Sequence, residues 1–311
     1  MPRPAIVWSP HYEMDIGVHV FPTEKFRLTL DLLVKQGLVR REEVLEPPPA
    51  TEEELLTVLE PEYLADLRGV THTTRTYGAE LPISEEIVRG VTHSAGGSIL
   101  AARRALEVGG ACHIGGGFHH GFGDHGEGFC YINDVAVAAE VLRREGAARR
   151  IAVVDTDVHQ GNGTACIFRG VPEVFTFSIH QELLYPFPKV VRSDLDIGLP
   201  AQPGEQTYLR ELAKGIRASV EEFRPELVIY VAGVDPFEND QLGSLGLSMA
   251  AMRERDRMVL EAVHRLGIPF VTVTAGGYSY DLRETVALHA QTVAVATEVL
   301  SGEDGNMGAP D

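Results

Sequence analysis

The run Asp155-Thr156-Asp157-Val158-His159 places two carboxylates and an imidazole at every second position. On an extended chain, positions i, i+2 and i+4 point to one side. Such a set at the mouth of a buried strand is a metal-ligand pattern. Fully extended, it would spread over roughly 13 Å, too wide for one ion. Two of the three therefore meet one metal, with a bend near His159 that Gly161-Asn162-Gly163 permits. The plainer alternative is a solvated strand end with a chance polar alternation. Asp235, in Ala232-Gly233-Val234-Asp235-Pro236, follows another apolar run. It is either the third ligand or an ordinary turn or helix-cap aspartate. An Asp, Asp, His set leaves a position open for water, as catalytic zinc requires. Its oxygen-rich character also suits Fe(II) or Mn(II).

Two further features point to proton transfer. His119 and His120 are adjacent and follow Gly115-Gly116-Gly117-Phe118. A lone histidine is usually structural, but two beside a glycine run read as a proton-transfer pair. The glycines do not form a dinucleotide loop, because no helix start follows them. Thr274-Ala275-Gly276-Gly277-Tyr278 presents a phenol able to donate to a developing oxyanion, or simply a packed rim aromatic.

The elements that must hold these groups are legible from short apolar runs, rich in Val and Ile, and from helical periodicity between them. Ala5–Trp8, Ala111–Ile114, Ile151–Asp155, Val174–Ile179, Leu227–Ala232 and Phe270–Thr274 read as buried strands. Lys25–Gln36, Glu85–Glu107, Asp134–Glu145, Gly204–Phe223, Ser248–Leu266 and Arg283–Leu300 read as amphipathic helices. Alternating strands and helices predict a parallel sheet covered on both faces, in a three-layer α/β/α domain. Ligands then bind at the carboxyl ends of the strands. Four of the runs end in the polar groups just described. The prolines of Glu46–Thr51 separate two helices rather than two domains. The Gly-rich, acidic Ser301–Asp311 is expected to be a disordered tail to a single domain over 1–300.

Bulk properties bound the partners. With 45 acidic and 27 basic residues, the 311-residue chain has a formal charge of −18, which argues against nucleic acid and admits a cationic substrate. Three cysteines, Cys112, Cys130 and Cys166, form no C-x-x-C pair and predict reduced thiols. With neither a signal-peptide pattern nor a long apolar span, the expectation is a cytoplasmic protein that does not enter membranes.

Taken in order, Gly115–His120, Gly128-Phe129-Cys130-Tyr131-Ile132-Asn133-Asp134, Asp155–Gly163, Asp235 and Gly276-Gly277-Tyr278 resemble the histone deacetylase family. The resemblance runs from about Ser9 to Leu300. It implies the arginase–deacetylase fold, with a central, mostly parallel, eight-stranded sheet. It also implies a zinc-dependent amidohydrolase that deacylates N-acyl-lysine in proteins or peptides. Asp157, His159 and Asp235 would hold zinc, with Fe2+ as an alternative. His119 and His120 would be the paired histidines, His119 held by Asp155. Tyr278 would polarise the scissile carbonyl. Gly128, Phe129, Tyr185 and Leu242 would line the acyl-lysine channel. Potassium would be held by Asp155, Ser178 and Ile179 together with Asp157 and His159. Apart from the resemblance, the choice between a polyamine and a peptide turns on the rim, for which the short segment Val18–Lys25 is a candidate, with Asp240 and Glu182 as acidic candidates near it.

One departure matters. Larger subgroups of that family carry aspartate where this chain has Asn162, and His159-Gln160-Gly161-Asn162-Gly163 resembles the class IV branch. The other readings are an acetylpolyamine deacetylase, a dinuclear-manganese ureohydrolase and an inactive acyl-amine-binding homologue. The ureohydrolase needs a second carboxylate two residues after Asp235, where Phe237 stands. The acyl chain and oligomeric state are open.

Overall fold

Val- and Ile-rich runs separated by amphipathic stretches fold as a succession of strands and helices. A computed structural model describes residues 3–302. The elements are β1 (Ala5–Val7), α1 (Lys25–Lys35), α2 (Glu52–Leu55), α3 (Pro61–Arg68), α4 (Thr74–Tyr77), α5 (Glu85–Val108) and β2 (Gly110–His113). Then come α6 (Asp134–Glu145), β3 (Ile151–Asp155), α7 (Asn162–Ile167), β4 (Val174–Gln181), β5 (Leu195–Leu199) and α8 (Glu205–Ile216). The chain ends with β6 (Leu227–Val231), α9 (Met249–Arg265), β7 (Phe270–Val273) and α10 (Leu282–Ser301).

The strands pair in parallel in the order β1-β2-β7-β6-β3-β4-β5. Period-2 alternation divides their side chains between two cores. Ile151, Val153, Leu227, Ile229 and Val231 face one core with α5 and α6. Ala152, Val154, Val228 and Tyr230 face the other, with α1, α8, α9 and α10. Each face is thus covered by helices, as a parallel sheet requires.

The sheet has seven strands among the described residues, all parallel, not the eight mostly parallel strands expected. The strand that sequence reading passed over is β5. Asp196 and Gly198 interrupt its short apolar pattern, and it sits at the sheet edge beside β4. The segment expected as one helix from Gly204 to Phe223 begins at Glu205 and widens into π-helical turns over Arg217–Glu222. Of the expected tail, Ser301 ends α10 and Gly302 caps it with φ 69°; residues 303–311 lie outside the described region. No helix among the described residues is long and apolar enough to cross a membrane.

This order has one consequence for chemistry. The chain segments after β2, β7, β6 and β3 emerge side by side at the carboxyl edge of the sheet.

Candidate active site

The loop after β2 is tied down from α6. Asp134 accepts from the amides of Gly117 (3.1 Å) and Phe118 (2.8 Å). The Asn133 side chain caps α6 at Ala136 N and donates to the carbonyls of His119 and Gly121, each at 3.2 Å. Gly117 takes φ 83°, and a Cβ there would stand 2.5 Å from Ala275 Cα, so the loop lies directly against the end of β7. These contacts hold His119 and His120 with ring centroids 4.2 Å apart.

After β3 the chain turns at once. The Asp157 amide donates back to Asp155 Oδ1 (3.1 Å), and the His159 amide to Asp157 Oδ1 (3.0 Å). This turn folds up the roughly 13 Å of an extended run. It brings His159 Nδ1 to 3.0 Å from Asp157 Oδ1 and 3.2 Å from Asp235 Oδ2. Asp235 arrives from the end of β6, its Oδ1 accepting from Val158 N at 2.8 Å. The end of β7 completes the enclosure, with Gly276 N donating to Asp157 Oδ2 at 3.0 Å.

Asp157, His159 and Asp235 each offer a ligand atom, all within 4.8 Å of one another. This is the only such group of three or more His, Cys, Asp or Glu among the described residues. The trio fits a divalent cation on a second count: Asp235 Oδ2 is buried without a well-aligned hydrogen bond, its neighbour His159 Nδ1 at 3.2 Å being itself one of the three ligand candidates. Zinc, borderline in softness, takes such a mixed nitrogen and oxygen set.

The electrostatics follow from crowding. Burial and the neighbouring Asp157 carboxylate push Asp235 up to about 8. Burial alone would lower His159, but Asp157 and Asp235 outweigh it and raise it to about 10. His119 is treated alike: burial lowers it, while Asp155 (Nδ1 to Oδ2, 2.6 Å) and Asp157 carry it to about 9. His120 goes the other way. Burial, then His119 and His159, hold it well below the usual 6.5, and its Asn162 hydrogen bond (Nδ1 to Oδ1, 2.6 Å) offsets only part.

Above this floor is a cavity of about 260 Å³. Gly128, Phe129, Tyr185 and Leu242 line it, together with Tyr278, His119, His120, Asp157 and His159. Phe129 takes φ 67° and stacks on Phe21 at 6.4 Å, and its amide donates to Ala79 O. A bulky residue in the left-handed region is strained unless packing holds it. Asp155 and Ser178 sit at paired positions of β3 and β4, with Ile179 next in β4. Asn162 opens α7.

Two of the rim residues lie elsewhere. Asp240 is buried and accepts from the amides of Leu242, Gly243 and Tyr278, so it shapes the backbone beneath Tyr278. Lys25, expected at the end of the rim segment, is fully buried. Its Nζ donates to Ala275 O at 2.7 Å and lies 5.3 Å from the Tyr278 ring centroid. Burial, partly offset by Asp235 and Asp157, lowers it to about 8. Lys25 shares the buried face of α1 with Thr29, a spacing visible in the sequence. Glu182 is exposed and is not among the residues that line the cavity. Glu127, which sequence reading also passed over, hydrogen-bonds both Asn162 and Tyr185. Its one signal was its place before the predicted wall, Gly128-Phe129.

Comparison with known proteins gives a consistent picture. The model of the histone deacetylase domain matches residues 19–294. An uncharacterized protein of Picosynechococcus sp. is 39% identical over 296 residues, covering 94% of this chain and 98% of its own. A histone deacetylase-like amidohydrolase of Pseudomonas aeruginosa is 31% identical over 279 residues, covering 84% and 73%. Among solved structures, an HDAC homologue from Aquifex aeolicus superposes with a TM-score of 0.80 at 26% identity, covering 97% and 85%.

Proposed function

The chain belongs to the histone deacetylase family, hydrolases that act on amides, and from that premise we propose that it is a zinc-dependent deacylase of N-acyl-lysine in proteins or peptides. One observation carries the reading. A cation-binding trio, two oppositely tuned histidines and a tyrosine meet at the floor of an apolar channel.

A divalent cation held by Asp157, His159 and Asp235 would polarise the amide carbonyl and acidify a water beside it. His120, kept neutral by burial and with Nδ1 engaged by Asn162, offers Nε2 as the proton acceptor for the attacking water. It returns that proton to the departing amine. His119, held by Asp155 and with its pKa raised by Asp155 and Asp157, would supply electrostatic support to the developing oxyanion. The Tyr278 hydroxyl, burial holding its pKa well above 10, remains a donor to the same oxygen. The products are a carboxylate and a free amine. Asp155, Ser178 and Ile179, with Asp157 and His159, are the proposed potassium ligands.

Phe237 is buried two residues after Asp235, which leaves no carboxylate there for a second manganese. Acetylpolyamine is the second reading, favoured by the exposed carboxylate of Glu80 at the cavity wall. Against it stand exposed apolar groups flanking the Tyr185 wall, Leu183, Phe187 and Val190, which suit a peptide. The test is a panel of acyl-lysine peptides and acetylated polyamines, scored by kcat/KM with and without chelator. Peptide hydrolysis that chelator abolishes and zinc restores is expected. Preference for polyamines would overturn the peptide assignment, and no hydrolysis of either would overturn the deacylase reading.

A further inference from the structure

Behind His120 the hydrogen bonds continue past the point where the proposed chemistry needs them. The Asn162 amide meets His120 Nδ1 through Oδ1 and Glu127 Oε1 through Nδ2, each at 2.6 Å. Glu127 Oε1 also accepts from the Tyr185 hydroxyl at 2.9 Å, and Oε2 faces His125 Nε2 at 3.6 Å. Tyr185 packs edge-on to His120, ring centroids 5.0 Å apart. A Cβ on Gly128 would stand 2.8 Å from both His120 Cδ2 and Tyr185 Cε1, so the imidazole is wedged in place. Glu127, Asn162 and His120 form one chain of polar contacts from the channel wall to the proton acceptor.

Donor and acceptor logic gives this chain a direction. An ionised carboxylate only accepts, whereas an amide has one accepting end and one donating end. Facing Glu127, Asn162 must present its NH2 group there and its oxygen to His120. His120 must then carry its proton on Nδ1, which leaves Nε2 with a free lone pair. Without Glu127, the amide can flip. Its NH2 would then face Nδ1 and select the Nε2–H tautomer, which cannot take a proton from water. An aspartate at position 162 would need no such help, because both its oxygens accept.

We propose that Glu127 is a positioning residue for the hydrolysis, fixing the Asn162 amide and through it the Nδ1–H tautomer of His120. This rests on the deacylase reading above. It also explains how a neutral residue at 162 is tolerated beside a proton-accepting histidine.

The experiment compares zinc-loaded wild type with Glu127→Gln, Glu127→Ala, Asn162→Asp and the double variant Asn162→Asp/Glu127→Ala on the best acyl-amine substrate. Glu127→Gln keeps an accepting oxygen and should hold kcat within about threefold, whereas Glu127→Ala should lower it about tenfold or more with KM little changed. In the Asn162→Asp background the effect should reverse, because two carboxylates then face each other and removing one raises kcat. Imidazole 15N shifts of histidine-labelled protein supply a readout apart from activity. His120, assigned by its absence in His120→Asn, should be the Nδ1–H form in wild type and shift toward Nε2–H in Glu127→Ala. An unchanged tautomer, or the same kcat loss from Glu127→Ala in both backgrounds, would overturn the proposal. Wild type inactive on every acyl-amine would overturn the deacylase reading, and the tautomer measurement would still decide the role of Glu127.

Discussion

His120 and His119 are neighbours in sequence, and their pKa values are shifted in opposite directions. One faces a neutral amide and the other two carboxylates, and that difference sets their pKa directions. A general base acts only when unprotonated, so a low His120 pKa places the acidic limb of kcat/KM below pH 6.5. Asn162→Asp would put a carboxylate at Nδ1, stabilise the imidazolium and move that limb to higher pH by about one to three pH units. A pH–rate series on both proteins measures it, and coincident acidic limbs would refute the assignment of His120 as base. The ligand trio makes a second prediction. Without a cation, His159 sits at about 10 and Asp235 at about 8, so near neutral pH the cluster holds protons that an incoming ion must displace. Zinc binding at pH 7 should release about one proton or more, and affinity should fall as pH falls. Calorimetry in two buffers of different ionisation enthalpy reads the release directly.

At the scale of elements, the site depends on how closely β7 approaches the ends of β3 and β6. Gly276 is where that approach is tightest. A Cβ there would stand 2.8 Å from Asp235 Cγ and closer still to oxygens of Asp157 and Asp235. Gly276→Ala should therefore displace two ligands at once and weaken zinc binding by about 10- to 100-fold, as seen by chelator competition. The elements themselves were largely legible. Helix α6 begins and ends where its helical periodicity puts it, and strand β3 where its apolar run does. Strand β5 was not, because an edge strand half open to solvent lacks the apolar run that marks a buried one. The π-helical turns after α8 left no mark either, since Arg217–Glu222 continues an ordinary amphipathic pattern.

Across the whole molecule, a buried polar network fixes the outer helices to the catalytic edge. Arg255 and Asp256 of α9 are both fully buried, their closest ion-pair contact 2.7 Å. Arg255 also donates to Gly233 O, at the end of β6, while Asp256 accepts from Tyr230 of β6 and Thr292 of α10. Asp256→Ala would leave the Arg255 charge uncompensated and cost about 3–5 kcal/mol, measurable by denaturant unfolding. A smaller loss than about 1 kcal/mol would show that water reaches the site.

The sequence by itself marked the candidate residues. Residue type and strand-end position marked Asp157, His159, Asp235, His119, His120 and Tyr278, because short apolar runs reveal where buried strands stop and parallel topology sends those stops to one edge. Only the tertiary structure decided what stands behind them. Glu127 reaches Asn162 from 35 residues away, Lys25 reaches Ala275 from 250, and Asp240 turns inward under Tyr278 instead of out to the rim. Glu127 and Asp240 lie on loops with no periodicity to read, and the helical spacing of Lys25 marks a buried face but not its partner. A hydrogen bond between distant segments is fixed by where the packed sheet and helices bring them, not by spacing along the chain.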